Sequence, residues 1–128
     1  MAVYLACVAV ITLTPAAGDG HSPMWYVMRF LHQFDGVTWV TEPELQLVAN
    51  IVLFVPLGLL GVPLVGRHRW WWVVLAGVVL TCFIETVQHW IPGRVPDVWD
   101  VTANVSGALL GACAMLLVVR RSTRLEYR

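Results

Sequence analysis

Three stretches of this chain, residues 45–65, 70–84 and 101–119, contain no Asp, Glu, Lys or Arg. A helix needs about 20 apolar residues to cross about 30 Å of hydrocarbon, and the bilayer is the natural solvent for runs of that length and character. Lipid offers the backbone no hydrogen-bond partner, so spanning segments must be helices or strands of a closed barrel. No alternating strand pattern occurs in the sequence, which leaves helices. Composition agrees with this. The 128 residues are 59% hydrophobic and 12% charged, with a mean hydropathy of +0.73, whereas a soluble domain carries about 25% charged residues. A water-soluble globule of 14.3 kDa could not hide so much apolar surface.

Measured against membrane thickness, the spans fall at residues 45–65, 70–91 and 101–119, with a shorter apolar segment at 1–17. Pro15 should end or bend that first helix. It is either a short first span or a signal peptide ending near Ala17; the span is preferred, because no basic residue precedes the apolar run and Pro15-Ala16-Ala17 is a poor cleavage site. Next, Ser22-Pro23 supplies an N-cap followed by proline, and Gly36 supplies a stop. Met24, Val27, Met28, Leu31 and Phe34 recur at helical spacing between them, with Arg29, His32, Gln33 and Asp35 on the polar side. This predicts a short amphipathic helix, lying on the outer leaflet or packed as a lid on the bundle. Thr41-Glu42-Pro43-Glu44 is a capping box that opens the second span. The expected fold is all-α: a multi-spanning transmembrane helical bundle of about four spans plus that outer helix.

Orientation follows from the arginines, which are the only basic side chains other than histidine. Arg67 and Arg69 lie between the second and third spans, and Arg120, Arg121, Arg124 and Arg128 follow the fourth. Arg29 and Arg94 alone lie on the other side. The positive-inside rule then places both termini in the cytoplasm. Asp19, Asp35, Glu42, Glu44, Asp97 and Asp100 face outward. Trp70, Trp71 and Trp72 mark the inner interface, and Trp25, Trp39, Trp90 and Trp99 the outer one. Net charge is zero, which gives no basis for nucleic-acid binding. Cys7, Cys82 and Cys113 stand alone in apolar segments, so they read as packing residues and not as a disulfide or zinc framework.

Polar residues inside spans are costly and therefore informative. Glu85 is the one carboxylate within a predicted span interior, and Thr81, Gln88 and His89 share its helix face. The second span contributes Gln46 and Asn50. In the fourth, Asp97 as N-cap begins a single stripe through Asp100, Asn104, Gly107 and Gly111. Gly107 and Gly111 permit close approach of a neighbouring helix. At a rise of about 1.5 Å per residue, Asn50, Glu85 and Asn104 lie about 6–9 Å below the outer ends of their spans, at one level. Two readings compete for this set: interhelical hydrogen-bond glue, worth about 0.6–2 kcal/mol per group, and an outward pocket. Arg94 would then be a rim salt-bridge partner or a clamp. Pro56, beside Gly58 and Gly61, invites a kink. The sequence lacks the spacings of a zinc protease helix or a calcium loop, and Ser106 has no nucleophile motif, so no metal, cofactor or serine catalysis is expected.

The ordered set Asn50, Phe54-Val55-Pro56-Leu57-Gly58, Glu85-x-x-Gln88 and Arg94-x-x-Asp97-x-x-Asp100-x-x-x-Asn104-x-x-Gly107-Ala108-x-x-Gly111 resembles the VanZ-like membrane proteins, over about residues 3–118. The resemblance implies a small multi-pass protein of the bacterial cytoplasmic membrane, with residues 1–119 as a VanZ-like transmembrane domain and 120–128 as a basic cytoplasmic tail. It also implies a link to the cell envelope: the namesake is associated with resistance to the lipid-tailed glycopeptide antibiotic teicoplanin, while most members have no assigned reaction.

The expected function is binding of a lipophilic or lipid-linked envelope molecule, in addition to membrane lipids, in an outward pocket of Asn50, Glu85, Gln88, Arg94, Asp97, Asp100 and Asn104. The alternatives are an enzyme acting on such a lipid, with Glu85 or an aspartate as acid or base, and a proton- or ion-coupled transporter using Glu85. A transport path would call for a homo-oligomer, since four spans enclose little space.

Overall fold

The computed structural model describes residues 1–13, 23–34, 40–91 and 97–125, with side chains for all of these except 23–24 and 122–125. Every regular element among the described residues is helical: α1 (Ala2–Leu13), α2 (Pro23–Leu31), α3 (Glu42–Val65), a short 3-10 turn at Arg67–Arg69, α4 (Trp70–Gln88) and α5 (Val98–Leu125). Three of these, α3, α4 with its preceding turn, and α5, are long and apolar enough to cross a membrane. At 19 residues α4 is about 28 Å long, close to the hydrocarbon thickness. α1 has 12 residues and reaches about 18 Å, short of a full crossing; residues 14–17, where the predicted first span ended, lie outside the described set. The predicted stop at Gly36 lies outside it too, as do Asp19, Asp35 and Trp39, which were expected on the outward side.

Local chemistry sets the helix ends. Thr41 precedes α3, and its backbone N–H and its hydroxyl both donate to the Glu44 carboxylate at 2.9 Å, the reciprocal half of a capping box. Pro43 stands in the first turn, where no intrahelical N–H is needed. α3 then runs as one helix through Pro56 and Pro63. Gly66 ends it at φ 85° and ψ 151°, a backbone region open essentially to glycine alone.

α3 and α5 form the centre. Gln46 meets Asp100, Ile51 meets Gly107, and Val55 meets Gly111; a near-constant sequence separation of this kind marks two parallel helices in register. A Cβ on Gly107 would strike the Ile51 carbonyl, one on Gly111 the Val55 carbonyl, and one on Gly58 the backbone of Ala108 and Ala112. Three glycines thus bring two backbones together, the packing available where lipid supplies no hydrophobic drive between helices. α4 runs antiparallel beside both. α1 joins through Val8, which is buried, and through the Tyr4 hydroxyl, which donates to the Leu53 carbonyl at 2.9 Å.

Burial is arranged for lipid. Thr81, Gln88 and Asn104 are buried, while Val52, Leu64, Val79 and Phe83 are each more than 60% exposed. Water would penalise those apolar flanks; hydrocarbon does not. Stacked Trp71 and Trp72, with ring centroids 4.3 Å apart, lie toward one end of the bundle, and exposed Trp90 and Trp99 toward the other, as interfacial aromatics do.

Candidate functional site

Asp97 immediately precedes α5, and its Oδ1 accepts the Trp99 N–H at 2.9 Å, an N-cap bond. The Asp97 N–H itself donates to Glu85 Oε2 at 3.0 Å. Glu85, on α4, therefore holds the start of α5 in place. One turn further in, Gln46 Nε2 donates to Asp100 Oδ2 at 2.8 Å and ties α5 to α3. One turn deeper again, Asn104 Nδ2 donates to Thr81 Oγ1 at 2.8 Å. Asn104 is 2% exposed and Thr81 fully buried, yet Asn104 Oδ1 has no hydrogen-bond partner among the described residues, an uncommon cost for a buried acceptor.

Between the first turns of α3 and α5 lies a cavity of about 400 Å3. Four carboxylates line it, Glu42, Glu44, Asp97 and Asp100, together with Gln46, Leu47 and Trp99. Two parallel helices start side by side here, and their dipoles favour negative charge at both starts. Among the described residues, no group of three His, Cys, Asp or Glu is placed to hold a metal ion. The wall is rich in acceptors, suited to ammonium or hydroxyl donors. Trp99, 67% exposed, adds a face on which a cation or a sugar ring can rest.

The residues expected to share one pocket divide between several places. Asp97 and Asp100 line the cavity. Glu85 adjoins it through the Asp97 N–H. Asn104 sits deeper, bonded to α4. Asn50 is half-buried and makes no side-chain hydrogen bond with another described residue. Gln88 is placed elsewhere: it is buried and donates to the Thr12 carbonyl of α1 at 2.8 Å. Three residues along a helix turn a side chain about 60° away from Glu85, enough to aim it at α1. Arg94 lies outside the described residues.

Sequence reasoning missed Glu42, Glu44, Gln46 and Trp99 as cavity residues, reading them as caps, face and interface marker. Parity held the missing clue. Two successive antiparallel connections make α3 and α5 parallel, which puts their acidic first turns at the same end of the bundle.

No curated protein and no solved structure matches this chain. A family model described as VanZ/LLP1 matches residues 1–119, from α1 through most of α5 and across every polar contact described above. With three membrane-length helices inside that match, the chain is a membrane protein of the VanZ type and belongs to the VanZ/LLP1 family.

Proposed function

We propose that the chain is a bacterial cytoplasmic-membrane protein, with both termini in the cytoplasm, whose outward acidic cavity binds the polar part of a lipophilic or lipid-linked cell-envelope molecule. The observation that carries this reading is the 400 Å3 cavity itself. It is walled by acidic acceptors and flanked by Leu47 and Val48, both exposed to the surroundings of the bundle. A volume of this size suits one sugar or amine group. The rest of the molecule would run along the apolar flank of α3. Tolerance to teicoplanin-type glycopeptides, which combine sugars, an amine and an acyl tail, is the phenotype this arrangement supports. Binding is preferred to catalysis because the candidate acid and base, Glu85 and Asp97, are engaged in holding the start of α5.

The test uses the purified chain in phosphatidylcholine nanodiscs, titrated with teicoplanin and with a glycopeptide that lacks the acyl tail. The tailed compound is expected to bind at least about tenfold more tightly, since each buried methylene contributes about 0.8 kcal/mol. The pair Glu42→Gln and Asp100→Asn should weaken that binding. Equal affinity for tailed and tailless compounds would overturn the reading. Orientation is checked in cells on a background without Cys7, Cys82 and Cys113: Arg94→Cys should be labelled from outside by an impermeant maleimide, and labelling only after permeabilisation would reverse the topology.

A further inference from the structure

At the opposite end of the bundle a second cavity, of about 480 Å3, lies between the Arg67–Arg69 turn and the inner half of α5. Its mouth carries Arg67, His68 and Arg120. Its inner wall is Trp70 with Cys113, Leu116 and Leu117. Cys113, Leu116, Leu117 and Arg120 recur at i, i+3, i+4 and i+7, a single stripe of α5, so the apolar wall runs about 10 Å from the basic mouth into the hydrocarbon zone. Arg67 Nε donates to His68 Nε2 at 3.2 Å. That bond leaves the four Nη–H donors of Arg67 without a partner among the described residues. It also makes Nε2 an acceptor, so the neutral imidazole carries its proton on Nδ1, available as a further donor.

We infer that this cleft is a binding site for an anionic phospholipid of the leaflet on the arginine side, with the phosphate held by Arg67, His68 and Arg120 and an acyl chain laid over Cys113, Leu116 and Leu117. A basic mouth at headgroup depth above an apolar wall matches an anionic lipid in both charge and shape. A free anion would use the mouth alone. A protein partner would have no use for a wall that faces hydrocarbon. The site is separate from the acidic cavity, and its occupancy does not depend on what that cavity binds.

The experiment is native mass spectrometry of the full chain in detergent, titrated in parallel with phosphatidylglycerol, phosphatidylcholine and inorganic phosphate. Phosphatidylglycerol should be retained in preference to phosphatidylcholine. Arg67→Gln and Arg120→Gln should each reduce that retention about fivefold, Arg67→Lys should keep most of it, and Arg29→Gln at the other end should change nothing. Cys113→Trp, at an exposed position, fills the apolar wall without altering charge and should also reduce retention. Equal retention of the two lipids, or retention that survives both arginine changes, would overturn the inference. Displacement by inorganic phosphate would overturn it too, by assigning the mouth to a free anion. If the two glutamine variants are not recovered folded, Arg67→Lys and Cys113→Trp decide the matter.

Discussion

The N-terminal turns of α5 and its middle meet their neighbours by different means. From Asp97 to Asn104 the helix is held by side-chain hydrogen bonds: to Glu85, to Gln46 and to Thr81. From Gly107 to Ala112 it is held by backbone lying on backbone, with Gly58 completing the contact from α3. Hydrogen bonds between side chains can lengthen, exchange partners or admit a ligand group. Two backbones in van der Waals contact can do none of these, because any added atom must move a whole helix. Adaptability is thus confined to the acidic end, where the cavity lies, and the geometry that aligns the two acidic first turns is fixed from below.

The strongest attempt to break this contrast is Gly111→Leu. Overpacking usually costs about 1–3 kcal/mol when side chains can yield; here the obstacle is the Val55 carbonyl and the neighbouring α3 backbone, so a cost above about 3 kcal/mol is expected. Recovery of monodisperse protein in detergent should collapse. A folded Gly111→Leu of normal thermal stability would show that the glycine contact is not a lock.

These contacts were unequally legible in the sequence. Span positions came from charge-free runs, and the starts of α3 and α5 from Thr41, Glu44 and Asp97, because caps are local chemistry. The cavity was not legible in the same way. A depth ruler placed Asn50, Glu85 and Asn104 at one level, but level says nothing about which way a side chain points around its helix. Gln88 turned to α1, and Asn104 found Thr81 one turn deeper than Glu85. Those facings are set by the glycine contact between α3 and α5 and by α1 packing on α4, both tertiary features. Gly107 and Gly111 signalled a close contact without saying that Ile51 and Val55 were its other side.

The next effect in size concerns the deepest polar bond. Asn104→Leu should remove the donor to Thr81 while also removing an Oδ1 with no partner among the described residues, so its cost should stay near about 1 kcal/mol. Asn104→Asp, by contrast, would place a charge in a buried site and cost several kcal/mol unless it is protonated. A double-mutant cycle with Thr81→Ala, read by thermal unfolding in detergent, should give a coupling of about 0.6 kcal/mol and at most about 2. A coupling of zero would remove Asn104 from the elements that hold α5.

Glu85 sharpens the comparison. Glu85→Gln keeps a carbonyl oxygen that can accept the Asp97 N–H, so stability should fall by less than about 0.5 kcal/mol, whereas Glu85→Ala should cost about 1 kcal/mol through loss of that bond. Glycopeptide binding in nanodiscs should be kept by the glutamine variant. If it folds normally and binding disappears, the charge of Glu85 belongs to the ligand site and not only to the start of α5.

The smallest expected change in stability is at the Gln46–Asp100 pair. Both side chains are half-buried, and Asp100→Asn retains an oxygen that can accept from Gln46 Nε2. The bond therefore exchanges a charge-assisted contact for a neutral one, which for a half-exposed pair should cost about 0.3 kcal/mol. In the cavity the same change removes one of four carboxylates and with it part of the attraction for an ammonium group. Asp100→Asn should accordingly leave the thermal midpoint almost unmoved while lowering affinity for a cationic envelope ligand, and lowering it more in dilute than in concentrated salt, since a half-exposed charge is screened. Should Asp100→Asn instead destabilise the bundle as severely as Gly111→Leu, the acidic end would be as rigid a lock as the glycine contact, and there would be no adaptable half of α5 to hold a ligand.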